Sequence, residues 1–162
     1  MNTLVVFGAK YLFLVIPIAA LWVWWQLPKE RRLPFAVQAV GAGVLTLVLA
    51  KVGGHFIVST RPYIAQNLTP LIAASRDNGF PSDHTLLSAT LALLVLTVRR
   101  PVGAALLILA LCVGVSRVLA LVHSSIDIVG SFGIAVVGVL LSSVATSKMS
   151  RTDKAPQHAE VG

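Results

Sequence analysis

The sequence predicts an all-α protein, a polytopic membrane bundle of about five transmembrane helices, and three observations predict it. Charged residues make up only 12% of the 162 residues while hydrophobic ones make up 56%. Soluble domains carry about 25% charge, so the deficit of charge is the more telling departure, and mean hydropathy is +0.86. The apolar residues also come in runs of about 18 or more, the length a helix needs to cross a hydrocarbon core about 30 Å thick. Finally, Lys and Arg gather in short clusters between those runs. The net charge of +7 forms no basic stripe with interleaved aromatics, the footprint of nucleic-acid binding, so no nucleic-acid partner is expected. The sole cysteine, Cys112, lies inside an apolar run, which excludes an intrachain disulfide or a thiolate metal cluster.

In chain order, helices are expected over 4–27, 34–58, 84–98, 101–122 and 126–146. The first run lacks a basic n-region, contains Lys10 and shows no small-residue cleavage site before Lys29-Glu30-Arg31-Arg32. It therefore reads as a retained span and not as a signal peptide. Pro34 and Pro101 suit first-turn positions of the second and fourth helices, where a missing N–H costs nothing. The third, short, helix opens at Pro81-Ser82-Asp83-His84, with Ser82 or Asp83 suited to the N-cap. The small residues of "AVGAG" and "GSFG" predict close helix packing. Residues 1–146 thus form one membrane-embedded domain, and 147–162 a polar tail expected to be disordered.

Orientation follows from the basic residues. Lys29, Arg31 and Arg32, then Arg99 and Arg100, then Lys148, Arg151 and Lys154 share one side if five helices alternate, and that side is the cytoplasm. The N-terminus, the 59–83 loop and the 122–126 turn are then outside, and Trp22, Trp24 and Trp25 form an interfacial belt.

The polar residues converge on the outer rim. "STRPYIAQNL", "RDNGFPSDH" and "SRVLALVHSSID" are far apart in sequence and reach the same interface. Arg117 stands six residues before His123, roughly 9 Å deeper at 1.5 Å per residue, where a charge costs about 2.5–3.5 kcal/mol on the insertion scale. Either it serves function or it is half of a structural ion pair with Asp127 or Asp83. Asp127 alone could be a capping-box partner of Ser124, but that leaves Arg117 unexplained. His84 falls in the first turn of the third helix, whose free N–H groups favour anions. With Arg61 and Arg117, the rim offers two guanidiniums, two histidines and a helix N-terminus. That set suits a phosphate better than a carboxylate, and the arginines would repel a metal cation, so no metal or other cofactor is expected.

These segments together resemble the type 2 phosphatidic acid phosphatase superfamily of membrane lipid phosphatases. The family shows a lysine seven residues before Arg-Pro, then Pro-Ser-Gly-His, then Ser-Arg, five residues, His, three residues, Asp. Here Ser116, Arg117, His123 and Asp127 complete the third motif, Pro81, Ser82, Asp83 and His84 stand for the second, and Arg61-Pro62 remains of the first. The resemblance covers about residues 51–127. It departs at Gly54, which stands where the lysine belongs, with Lys51 one turn away and His55 adjacent, and at Asp83 in place of glycine. "PSDH" is similar to bacterial undecaprenyl-diphosphate phosphatases of the bacitracin-resistance type.

The resemblance implies that His123 attacks phosphorus and forms a phosphohistidine, that Asp127 orients it, and that His84 protonates the leaving oxygen. It implies phosphate binding by Arg117, Arg61 and Ser82, with Lys51 or His55 taking the absent lysine's place, and Asp83 and Ser116 on the rim. The expected substrate is a lipid phosphate, undecaprenyl diphosphate first, met on the extracytoplasmic face of the bacterial cytoplasmic membrane. A phosphatidylglycerophosphate or phosphatidic acid phosphatase would use the same residues. A non-catalytic phospholipid-binding or anion-transporting protein is the alternative of another class.

Overall fold

The architecture, taken from a computed structural model, is described for residues 2–152, with side chains over 3–147. Among the described residues every regular element is helical: α1 (Asn2–Lys10), a 3-10 turn (Leu12–Leu14), α2 (Val15–Gln26), α3 (Lys29–Phe56), α4 (Pro62–Ala65), α5 (Asp83–Val98), α6 (Arg100–Leu119) and α7 (Ser125–Thr152). Four stretches are long and apolar enough to cross a membrane: Thr3–Gln26, Lys29–Phe56, Arg100–Leu119 and Ser125–Ser147. The apolar α5 has only 16 residues, short of a bilayer core at 1.5 Å per residue.

That short helix is the centre of the bundle. It packs against α2, α3, α6 and α7, and its buried residues, among them Thr85, Leu86, Ser88, Ala89 and Val95, point in all directions around its axis. A helix apolar on every side needs partners on every side. The outer helices do the opposite: α3 leaves Val37, Val40, Val44, Leu47 and Val48 exposed, as lipid contact requires. The α5–α6 hairpin is tight, because Arg99 both ends α5 and precedes α6. A methyl group on Gly103 would run into the backbone of Leu96.

The boundaries differ from expectation in four places, one of them α6, which stops at Leu119 and not at 122 because Leu121 takes a left-handed conformation. The first helix is broken at Tyr11–Leu14: Pro17, in the first turn of α2, has no N–H for the Phe13 carbonyl, and Arg117 Nη1 donates at 3.1 Å to the Ala9 carbonyl oxygen, one of the carbonyls that a helix C-terminus leaves without partners. The second helix starts at Lys29, so Pro34 lies inside it and not in its first turn. There Arg32 fastens the corner, donating through Nε to the Leu27 carbonyl at 3.0 Å and through Nη2 to the Trp25 carbonyl at 2.5 Å. The last helix runs on to Thr152, past the expected end at 146. The rest of the expected tail, 153–162, lies outside the described residues.

Candidate active site

Each segment that supplies the site is held by its own local bonding. At the end of α6 the chain makes a Schellman turn: Leu121 N–H donates to the Val118 carbonyl at 2.9 Å and Val122 N–H to the Arg117 carbonyl at 3.3 Å. Leu121 takes the left-handed conformation that this motif demands, with φ of 65°, although glycine is the usual occupant. His123 follows two residues later. The 57–82 loop is anchored to this turn by Tyr63 N–H donating to the Leu121 carbonyl (3.1 Å) and Leu71 N–H to the Ala120 carbonyl (3.2 Å). Asn78 organises its return. Its amide nitrogen donates to the Gly54 and Ile57 carbonyls, both at 2.9 Å, and its amide oxygen accepts from Ser59 and Phe80 N–H at 2.9 and 3.1 Å.

These anchors bring Arg61, Arg117 and His123 together, each less than a tenth exposed. Nδ1 of His123 lies 2.9 Å from the Gly79 carbonyl oxygen and 3.3 Å from Asp127 Oδ2. Both are acceptors, so the network assigns the proton of a neutral ring to Nδ1. Nε2 then carries the lone pair, and it faces two cations: Arg61 Nη1 and Arg117 Nη2 each stand 3.4 Å away.

The two arginines are held differently. Arg61 donates to the Val122 carbonyl at 2.9 Å and pairs with Asp77 through Nη2–Oδ1 at 2.7 Å. The Ser75 hydroxyl and the Arg61 guanidinium bond the Asp77 carboxylate and hold its pKa below the usual value. Arg117 has no carboxylate within ion-pair distance among the described residues, and its buried Nε has no protein partner. The structural ion pair with Asp127 or Asp83 is therefore not formed. Asp127 is fully buried and does accept from Ser124 N–H at 2.8 Å, as a capping residue would, but the same oxygen faces His123.

A cavity of about 360 Å³ opens in front of this cluster, lined by Arg61, Arg117, His123, His84, Asp83 and Lys10, with Asp77 at its edge. His84, in the first turn of α5, is set against Phe13 edge-to-face at 4.4 Å between ring centres. Asp83 also lines a second, largely apolar groove of about 390 Å³ between α3 and α5, where it adjoins Gly43, Leu47, Leu87, Thr90 and Leu94.

Four expected site residues are not brought to the cavity. Ser82 does stand at the N-cap position of α5, but it is fully buried. Its N–H donates to Ser131 Oγ at 3.0 Å and its hydroxyl accepts from Thr85 at 3.1 Å, so it joins α5 to α7. Ser116, next to Arg117, points elsewhere around α6, and its hydroxyl donates to the Cys112 carbonyl at 2.8 Å. Lys51 and His55 are exposed on α3, and His55 packs edge-on against Phe56. A side chain at position 54 would start 3.1 Å from the Phe80 carbonyl oxygen, so the loop that Asn78 organises would have to give by a few tenths of an ångström to admit one.

Sequence reasoning missed Asn78, Gly79, Asp77 and Lys10. The first two act through a four-bond hub and a main-chain oxygen, which no spacing announces. Lys10 was visible as a charge inside an apolar run, but not as a neighbour of residues over a hundred positions away.

A membrane-embedded helical bundle that turns a neutral imidazole nitrogen toward two guanidiniums, with a second imidazole across the cavity, has the equipment of a phosphatase, a hydrolase that works without leaving the bilayer. Comparison with known sequences says which: residues 33–151 match the PAP2 superfamily, and the chain belongs to that family. It is 29% identical over 151 residues to the bacitracin transport permease protein BcrC of Bacillus licheniformis, covering 93% of this chain and 74% of that protein. It is 30% identical over 151 residues to YbjG of Escherichia coli (strain K12), covering 92% and 75%. With the undecaprenyl-diphosphatase BcrC of Bacillus subtilis (strain 168) it shares 26% identity over 137 residues, covering 85% and 70%. No solved structure matches the chain.

Proposed function

We propose that the chain hydrolyses a lipid diphosphate, undecaprenyl diphosphate first among them, to the lipid monophosphate and inorganic phosphate through a phosphohistidine on His123. The observation that carries this reading is the placement of His123 Nε2, 3.4 Å from a guanidinium nitrogen on each side. A phosphoryl group held by those two arginines has its phosphorus in front of the lone pair.

Nε2 attacks the terminal phosphorus, the N–P bond forms, and the bond from phosphorus to the bridging oxygen breaks. His84, which takes up a proton when the substrate's anion comes to lie beside it, gives that proton to the bridging oxygen as the lipid monophosphate leaves. Water then attacks phosphorus, the now neutral His84 takes a proton from the water, and the N–P bond breaks. Inorganic phosphate departs and His123 is again neutral with its proton on Nδ1. Arg61 and Arg117 stabilise the equatorial oxygens in both steps. Asp127 balances the positive charge of the phosphorylated imidazole.

A lipid, in preference to a soluble phosphate ester, is supported by the apolar groove that meets the cavity at Asp83. A chain lying between α3 and α5 would bring its head group to His123 sideways from the bilayer. In this reading α5 is a fifth, short crossing, the N-terminus and the cavity face the extracytoplasmic side of the bacterial inner membrane, and the C-terminus is cytoplasmic.

The test is phosphate release from undecaprenyl diphosphate by the purified full-length protein in EDTA, with His123→Ala beside the wild type and phosphatidic acid as second substrate. Wild-type turnover of the diphosphate with none in the variant is expected. Preference for phosphatidic acid would move the substrate but keep the mechanism. Turnover of neither lipid would sink the catalytic reading.

A further inference from the structure

We infer that Lys10 is the third phosphate-binding cation of this cavity, taking the place that neither Gly54 nor Lys51 fills; the inference rests on the phosphatase reading above. Lys10 ends α1 and lines the same cavity as Arg61, Arg117, His84 and His123. Its position is built. Arg117 Nη1 bonds the carbonyl of Ala9, the preceding residue, at 3.1 Å, and the chain leaves the helical path immediately afterwards at Tyr11. The arginine that faces His123 therefore also fixes where the lysine stands.

Charge explains why the cavity needs it. Histidines aside, the cavity is lined by three cations, Lys10, Arg61 and Arg117, and two carboxylates, Asp77 and Asp83. Arg61 is already compensated by Asp77 at 2.7 Å. Without Lys10 the lining would carry no net positive charge, yet a phosphate monoester brings about −1.5 to −2 at pH 7 and a diphosphate more. Lys10 is exposed and has no carboxylate partner among the described residues, so its ammonium is available to an incoming anion. A flexible stem with three donors suits an oxygen-rich ligand whose position shifts during reaction. Lys51 is exposed on α3 and does not line the cavity. Lys10 also lies before residue 33, where the family match begins.

The test uses purified full-length wild type, Lys10→Met, Lys10→Arg and Lys51→Met. Calorimetric binding of inorganic pyrophosphate is measured beside the kinetics of undecaprenyl diphosphate hydrolysis. Lys10→Met is expected to weaken pyrophosphate binding about tenfold or more, the loss typical of a charge-assisted hydrogen bond, and to raise KM to a similar extent with a smaller fall in kcat. Lys10→Arg should restore most of both, which a merely structural role at the α1 break would not require, while Lys51→Met stays close to wild type. Unchanged pyrophosphate affinity in Lys10→Met, or the same loss in Lys51→Met, would overturn the inference. The calorimetric arm needs no turnover. If the wild type binds pyrophosphate through Lys10 but hydrolyses no lipid phosphate, the phosphatase reading fails while the assignment of Lys10 stands.

Discussion

His123 turns Nδ1 to the carbonyl oxygen of Gly79, 2.9 Å away, closer than it stands to any carboxylate. Asp127 Oδ2 is the second acceptor at 3.3 Å, so one N–H is shared between a main-chain oxygen and a charged side chain. The two acceptors do different work. The carbonyl fixes the tautomer and the ring's direction, and it cannot be removed by substituting a side chain. In the proposed mechanism the carboxylate adds the negative charge that an imidazole needs once Nε2 has bound phosphorus.

Asp127→Asn separates these contributions. The Gly79 oxygen still holds Nδ1–H, so the ring keeps its aim and the variant is expected to bind substrate nearly as well as the wild type. What it loses is charge stabilisation, and kcat should fall about 10²-fold. That is less than the roughly 10⁴-fold loss where a carboxylate is a histidine's sole orienting partner. Steady-state kinetics on undecaprenyl diphosphate checks it; a KM effect larger than the kcat effect would contradict this division of labour.

Gly103→Val tests packing apart from chemistry. A Cβ at this position meets the Leu96 backbone, which cannot move aside like a side-chain tip, and overpacking of this kind costs about 1–3 kcal/mol. The midpoint of thermal unfolding in detergent should fall by roughly 2–10 °C. Gly103 is 14 residues from Arg117 along α6, about 21 Å at the helical rise, so kcat/KM of the folded fraction should not change.

The helical class and the positions of the long apolar runs were legible in the sequence because a bilayer demands length and apolarity, and both are composition. The cluster of Arg61, Arg117, His123, His84 and Asp127 was legible through motif spacing. What spacing cannot show is direction. Ser82 and Ser116 sit within the motifs, yet one bridges α5 to α7 through Ser131 and the other bonds back to Cys112. The break after Lys10 was half legible: Pro17 in the first turn of α2 marks a new helix start, but the bond from Arg117 to the Ala9 carbonyl at the end of α1 could not be read from sequence. The Schellman turn before His123 was hidden too, with a leucine where glycine marks such turns.

Asp77 gives the site a pH limit. Hydrogen bonds from Ser75 and then Arg61 lower its pKa from 3.8, so the folded state favours the ionised carboxylate. The stabilisation is present above that ordinary value and is lost as pH falls through the lowered one. Comparing thermal midpoints of wild type and Asp77→Asn across pH should show a constant difference well above the ordinary value of 3.8 that shrinks as pH falls below it. The difference should be small, roughly 1–3 °C, because the Asp77 side chain is 68% exposed and exposed pairs contribute little. A gap that widens on acidification would contradict the assigned direction.

In the proposed reading the apolar groove between α3 and α5 holds the lipid chain, and a substitution there tests it. Gly43 lines it, and a Cβ placed there meets no atom within 4 Å, so Gly43→Phe can be accommodated without disturbing the helices and would fill part of a groove of about 390 Å³. The cavity holding His123 and the two arginines does not include Gly43, so the chemistry should remain. The expected result is a KM for undecaprenyl diphosphate raised about tenfold, as burial of two or so methylenes is lost at about 0.8 kcal/mol each. A short-chain prenyl diphosphate too small to reach Gly43 should be hydrolysed as by the wild type. Equal loss on both substrates would mean that the groove supports the cavity instead of holding the chain. No loss on either would place the lipid elsewhere on the bundle, and the path between α3 and α5 would then have to be abandoned.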